Sequence, residues 1–206
     1  MPFATFEGLD FVGKTTQINI LSNRLKKLGI NVLSVREPGG TPIGDQIRSL
    51  LLDPTSVIHP VTEAMLYAAS RAEHVNNVIR PALQLGTTVL CDRYVDSSIA
   101  YQGGGLQLGE MVAEINKIAT QNLVPDRTYL IDISLEMMGE RSQKAAIERG
   151  VIDRIEQRNI AYFDRTRNKL LEIAKNDPDR VLWINGALSV DEIAEIIWND
   201  YQERMM

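Results

Sequence analysis

Short apolar runs alternate with longer amphipathic stretches along the chain. Pro2–Glu7, Asn31–Val35, Thr87–Cys91, Arg127–Ile133 and Arg180–Asn185 are β-rich and mostly apolar on both faces, as buried parallel strands should be. Between them the apolar spacing becomes helical. From Lys14 to about Leu28 it places Ile18, Leu21, Leu25 and Leu28 on one face, with Gly29 as a stop. A second helix is expected from about Val61 to Gln84, bent or interrupted before Pro81. A third starts at Ser189, where Ser189 and Glu192 have capping-box spacing, and carries Val190, Ile193, Ile197 and Tyr201 on one face. Strand–helix–strand repetition predicts an α/β fold: a parallel sheet, right-handed crossovers, helices on both faces and ligands at the carboxyl ends of the strands.

The 206 residues fit one domain over 1–206, with neither repeat nor linker. The segment at about 142–156 is the least core-like, rich in charge and holding Gly150, and reads as a lid. A net charge of −5 argues against a general nucleic-acid binder but permits a local basic pocket. The single cysteine, Cys91, allows no intrachain disulfide and fits a reducing cytoplasm. No apolar run is long enough for a transmembrane helix, and the N-terminus lacks the pattern of a signal peptide.

One stretch carries specific chemistry. Gly8-Leu9-Asp10-Phe11-Val12-Gly13-Lys14-Thr15-Thr16 follows the first strand and opens the first helix. Glycines at that spacing turn backbone N–H groups inward on phosphate oxygens, and the helix N-terminus adds its positive dipole end. Lys14 can then reach the β- and γ-phosphates, and the Thr15 hydroxyl can ligate Mg²⁺. Asp92 ends an apolar strand and can hold the same ion; Asp132, at another strand end, competes for that role. Arg36 and Arg93 also follow strands, so a carboxyl-end crevice receives them with Lys14. A hydroxyl acceptor wants a carboxylate base. A phosphomonoester is already mostly a dianion and wants cations that offset its repulsion from ATP. The arginines favour a phosphate acceptor. Lys144, Arg149, Arg154 and Arg158 lie on or beside the lid segment, where cations could stabilise a phosphoryl-transfer transition state. His59 and His74 lack metal-ligand spacing and read as structural, and Cys91 reads as buried packing.

These motifs resemble the bacterial thymidylate kinases over essentially the full chain. The resemblance rests on Phe6-Glu7-Gly8-Leu9-Asp10 through Thr16, Arg36-Glu37-Pro38-Gly39-Gly40-Thr41 and Thr62 through Arg71. Asp92-Arg93-Tyr94, Ser97 through Gly103 and Gly150 through Glu156 complete it. It implies the three-layer P-loop NTPase sandwich with a five-stranded parallel sheet and a small lid. It also implies a cytoplasmic homodimer that converts ATP and dTMP into ADP and dTDP with Mg²⁺. By the same resemblance Tyr67 stacks on thymine, Arg71 faces its carbonyl edge, and Ser98 and Gln102 lie in the dTMP site. Asp10 holds the sugar 3′-OH, Arg36 and Arg93 hold the acceptor phosphate, Tyr101 crowds a ribose 2′-OH, and Arg141 stacks against adenine. Phe11 leaves the phosphate loop without a cation, so catalytic charge is expected from the lid: Arg149 first, Arg154 second. A deoxynucleoside kinase is the nearest rival. A nucleotide switch is disfavoured, because no Asn-Lys-x-Asp guanine-reading string occurs.

Overall fold

A computed structural model describes residues 2–150 and 152–206, without the side chains of Glu148 and Arg149. The five apolar runs are strands β1 (Phe3–Glu7), β2 (Val32–Arg36), β3 (Thr88–Asp92), β4 (Arg127–Asp132) and β5 (Val181–Asn185). They form one parallel sheet in the order β2-β3-β1-β4-β5. β1 is central and buried at every residue, Thr5 and Glu7 included.

Helix α1 (Lys14–Lys27) buries Ile18, Leu21 and Leu25 in a core with Ala4, Phe6 and Leu90. Leu28 was expected on that face but is 55% exposed, because the helix ends at Lys27 and Gly29 turns the chain away. Helix α2 (Pro42–Leu52) is capped by the Thr41 side chain, which accepts from the Gly44 N–H. Helix α3 (Pro60–His74) is capped by His59 and runs into a π-helical segment, Val75–Ile79, then α4 (Arg80–Gln84). The wide turn stands just where Pro81 cannot donate a backbone hydrogen bond, so the helix adjusts rather than breaks. Val75 and Ile79 fill a second core with Phe3, Val89, Cys91 and Tyr94.

Helix α5 (Val95–Ser98) continues into a second π-helical segment, Ile99–Gly105, followed by α6 (Met111–Thr120). Helix α7 (Leu135–Arg149) takes in the first half of the segment read as a lid. Residues 142–149 are thus the distal turns of a helix, stopped by left-handed Gly150. Helices α8 (Ile160–Asn176) and α9 (Val190–Met205) complete the chain, α9 with the full Ser189–Glu192 capping box. Val190 is 51% exposed and falls off the buried face of Ile193, Ile197 and Tyr201. Among the described residues no helix is long and apolar enough to cross a membrane.

The Gly105 turn packs directly on α8. A Cβ at Gly105 would stand 2.6 Å from Thr166 Oγ1 and 2.6 Å from Tyr162 Cε2, both residues buried. Gly105→Ala should therefore destabilise the fold by about 1–3 kcal/mol, the usual cost of overpacking. Urea denaturation measures this; a loss under about 0.5 kcal/mol would mean that α8 gives way easily.

Candidate active site

The carboxyl ends of β1, β2 and β3 open on a cleft of about 600 Å³, of the size of small-molecule sites. The phosphate-loop sequence leaves β1 at Gly8, whose α-carbon lies against β4: a Cβ there would stand 2.3 Å from the Ile131 carbonyl oxygen. Gly8 is thus required by space as well as by its φ of +140°. Phe11 takes a φ of +66° inside the loop, a left-handed conformation that costs an L-residue on the order of 1 kcal/mol.

Lys14 heads α1. It is 7% exposed, and its ammonium donates to the carbonyls of Leu9 at 2.8 Å and Gly8 at 3.4 Å. Burial, with the Arg93 cation close by, lowers its pKa to about 8. The next residue, Thr15, donates its hydroxyl to Asp92 Oδ2 at 2.6 Å. Sheet register explains the meeting: Asp92 pairs with Phe6, so the end of β3 lies beside the start of the loop. A hydroxyl and a carboxylate oxygen side by side form a donor set suited to a hard divalent cation. Asp132 does not compete, because Arg167 holds both its oxygens, at 2.7 and 2.8 Å.

Arg93 follows Asp92 with a φ of +70°, and this turn sends its guanidinium back across the loop. It donates to Gly8 O at 2.8 Å, Ser97 Oγ at 3.0 Å, Asp10 Oδ1 at 2.8 Å and the Tyr101 hydroxyl at 3.1 Å. Burial alone would raise the Asp10 carboxyl, but Arg93 and Lys14 hold it below its ordinary value. Beneath the loop, Glu7 accepts from the Tyr94 N–H and the Ser97 hydroxyl. Burial, with the nearby Asp96 charge, raises Glu7 to about 7.

On the remaining walls stand Arg36, Arg48, Tyr67, Arg71, Ser98, Tyr101 and Gln102. Arg71 is 2% exposed and firmly held. Its Nε donates to Glu37 at 2.6 Å, one terminal nitrogen to Ser98 Oγ at 2.7 Å and to Asn116, and the other to Tyr94 O at 2.9 Å. Four of its five N–H groups are thereby used, which leaves one for a ligand. Glu37 also meets buried His74 Nδ1 at 3.1 Å. With Cys91 these residues bring oxygen, nitrogen and sulfur atoms within 4.8 Å of one another. Glu37 is already engaged by Arg71 and His74, so we read this cluster as structural. Arg141 donates to Phe11 O at 3.1 Å and Gly186 O at 3.2 Å, bridging the phosphate loop and the turn after β5.

Most of the residues singled out in the sequence line this one cleft; Gly8, Leu9 and Val12 form the loop behind its lining. The Arg149 side chain lies outside the described residues. Arg154 does not stand over the phosphate loop, contrary to its expected role as a second catalytic cation. It is 7% exposed, with Nε on Leu51 O at 2.7 Å and a terminal nitrogen on Glu63 at 2.7 Å. A guanidinium so engaged is a structural tie. Arg48, which the sequence reading missed, lines the cleft and donates to Pro38 O at 3.0 Å. Burial and neighbouring Arg36 lower its pKa. Its signal was the Thr41-Pro42 helix start, which places Arg48 two turns into α2.

A glycine-rich loop, its lysine and threonine, a strand-end aspartate and converging arginines at one end of a parallel sheet define a P-loop phosphotransferase. A model of the family described as thymidylate kinase matches residues 6–197. A thymidylate kinase of Exiguobacterium sibiricum is 45% identical over 200 residues, 96% of this chain and 92% of the relative. One from Deinococcus radiodurans is 42% identical, over 98% and 97% of the two chains. The crystal structure of thymidylate kinase from Ehrlichia chaffeensis aligns with a TM-score of 0.79 at 30% identity, covering 98% of each chain. The chain belongs to the thymidylate kinase family.

The depressed Lys14 pKa makes nucleotide binding depend on pH with a definite sign. Below about pH 8 the free site already carries the ammonium; above it, a proton must be taken up when phosphate binds. Affinity for ATP, measured by titration calorimetry, should be flat from pH 7 to 7.5. It should then fall by up to about tenfold per pH unit above pH 8, until the bound-state pKa is reached. An affinity unchanged up to pH 10 would show that Lys14 is not the phosphate contact.

Proposed function

We propose that this cleft transfers a phosphoryl group from ATP to dTMP, with loop and arginine residues dividing the two phosphates between them. The reaction is the conversion of dTMP to dTDP. Lys14 and the loop N–H groups take the β- and γ-phosphates of ATP, and Arg141 lies against adenine. Thr15 and Asp92 would hold Mg²⁺, which when bound offsets charge on the phosphates. Arg36 and Arg93 take the acceptor phosphate, joined by Arg48. Asp10 meets the sugar 3′-OH and Tyr101 closes the 2′ position. Tyr67 stacks on the base, with Arg71, Ser98 and Gln102 beside it. Arg149, at the end of α7, is the lid cation that closes over the transferred group. Exposed Met65 of α3 and Met111 and Ile118 of α6 leave an apolar surface suited to a homodimer partner. The protein then works in the cytoplasm, on nucleotides rather than nucleic acid.

The observation that carries this reading is the charge on the acceptor side. Arg36, Arg48 and Arg93 line one cleft, while Asp10 is held below the carboxylate range by its cationic neighbours. Such a carboxylate is a poor proton acceptor, which disfavours a hydroxyl acceptor and hence a deoxynucleoside kinase. A coupled ADP-release assay with ATP and either dTMP or thymidine tests this. Turnover should need dTMP; comparable turnover with thymidine would overturn the reading.

Two substitutions test the division of labour. Tyr67→Ala should raise KM for dTMP by about ten- to a hundredfold, the worth of one stacked base, and leave KM for ATP nearly unchanged. Equal shifts in both would misplace the base. Arg149→Ala should lower the single-turnover rate at least about a hundredfold, as loss of an arginine finger does. Single-turnover measurement keeps product release from masking the step. An unchanged rate would mean that the lid supplies no catalytic cation.

A further inference from the structure

Glu63 lies behind the base-side wall of the cleft and has no part in the reaction proposed above. It is fully buried on α3, one turn before Tyr67 and two before Arg71, so the three share a helix face. Its Oε2 accepts from Arg154 at 2.7 Å and Arg158 at 2.9 Å. Its Oε1 accepts from Gln102 Nε2 at 3.2 Å. Arg154 is itself fixed to the end of α2 through Leu51 O.

We propose that Glu63 is a positioning residue: it fixes the Gln102 amide so that the carbonyl oxygen, not the NH₂, faces the base. A carboxylate ion-paired with two guanidinium groups can only accept hydrogen bonds. It must therefore draw the NH₂ end of Gln102 toward itself. The amide oxygen is turned the other way, and among the described residues it has no hydrogen-bond partner, while Gln102 lines the cleft. The pocket then presents an acceptor from Gln102 beside the spare donor of Arg71. A pyrimidine with an N–H at ring position 3 and a carbonyl at position 4 matches both. Cytosine, with a lone pair at position 3 and an amine at position 4, meets acceptor with acceptor and donor with donor. Sites built this way reject the mismatched base strongly, because buried polar groups are left unpaired. Arg154 and Arg158, from the segment after α7, thus serve base selection through Glu63.

The inference rests on the base lying beside Gln102 and Arg71, as proposed above. The experiment compares kcat/KM for dTMP and dCMP in the wild-type enzyme and in Glu63→Gln. The new amide can either accept from or donate to Gln102, which frees Gln102 to turn over. The dTMP-to-dCMP ratio should fall at least tenfold, mainly through better use of dCMP, while KM for ATP stays within twofold. A ratio unchanged within twofold in a folded variant would overturn the role of Glu63. A wild-type ratio near one would instead overturn the placement of the base.

Should Glu63→Gln fail to fold, the wild-type protein still answers. The Gln102 side-chain NH₂ signals in a ¹⁵N-correlated spectrum, assigned by their loss in Gln102→Met, should persist at carboxylate-bonded positions when dTMP is added. A large shift of those protons on binding dTMP would show the NH₂ turning to the ligand, and the inference would fall.

Discussion

The guanidinium of Arg93 is the contact on which the cleft depends. It leaves the end of β3 through a left-handed turn and reaches the phosphate loop at Gly8 O, the loop carboxylate at Asp10, and the following helical stretch at Ser97 and Tyr101. One side chain thus joins three chain segments around the cleft. Such a cation in a buried setting needs anions nearby, and Asp10 supplies one directly. Glu7 lies behind it, linked through the Ser97 hydroxyl, and burial, with the nearby Asp96 charge, raises its pKa to about 7. Lys14 is the counterpart on the other side. Its ammonium is desolvated and held by the loop carbonyls of Gly8 and Leu9. The positive φ values at Phe11 and Arg93 belong to the same construction, since conformations that cost energy persist where their surroundings over-determine them.

Much of the fold was legible because its central strands β1, β3 and β4 are almost wholly buried. Five short, mostly apolar, β-rich runs leave little else to be, and all five became strands within a residue or so at each end. Helix ends were legible where a cap carried the signal, as at Ser189 with Glu192. Edge residues were less so. Leu28 and Val190 fit the helical period but lie where the helix has ended or has only begun, and there periodicity no longer says which way a side chain points. The charge of the distal turns of α7 hides their helical repeat in the sequence; among its described side chains α7 is a mostly half-buried helix, held by its Ser134 cap and stopped by Gly150.

Within the cleft, position along a strand end was legible and partnership was not. Asp92 and Arg93 could be placed because they end and follow β3, and Lys14 and Thr15 because they open α1 directly after the glycine loop. Arg154 could not be told from a free lid cation, because its partner Glu63 stands 91 residues away and shows no charge pattern that links the two. Arg48 was missed for a related reason. Its place in the cleft depends on how α2 folds back over Pro38, a tertiary fact.

Glu37 supplies the last link between the two ends of the acceptor site. It follows Arg36 at the end of β2, where an acceptor phosphate would sit, and its carboxylate holds Arg71 and His74 of α3. Backbone and side chain together therefore set the span from Arg36 to Arg71 through a single residue. The loop that follows is tied to α3 as well, since the Gly39 N–H donates to Ser70 Oγ at 3.0 Å. Four positions of α3, Glu63, Tyr67, Arg71 and His74, each three or four residues from the next, thus repeat one helical stripe that faces the cleft and its supports. In the proposed binding mode a nucleotide would be gripped at both ends at once, at the base by Tyr67 and Arg71 of α3 and at the phosphate by Arg36 of β2. A base without the phosphate would engage only half of that grip. In that binding mode length selection and base selection would be one physical act, exerted by α3 against the end of β2.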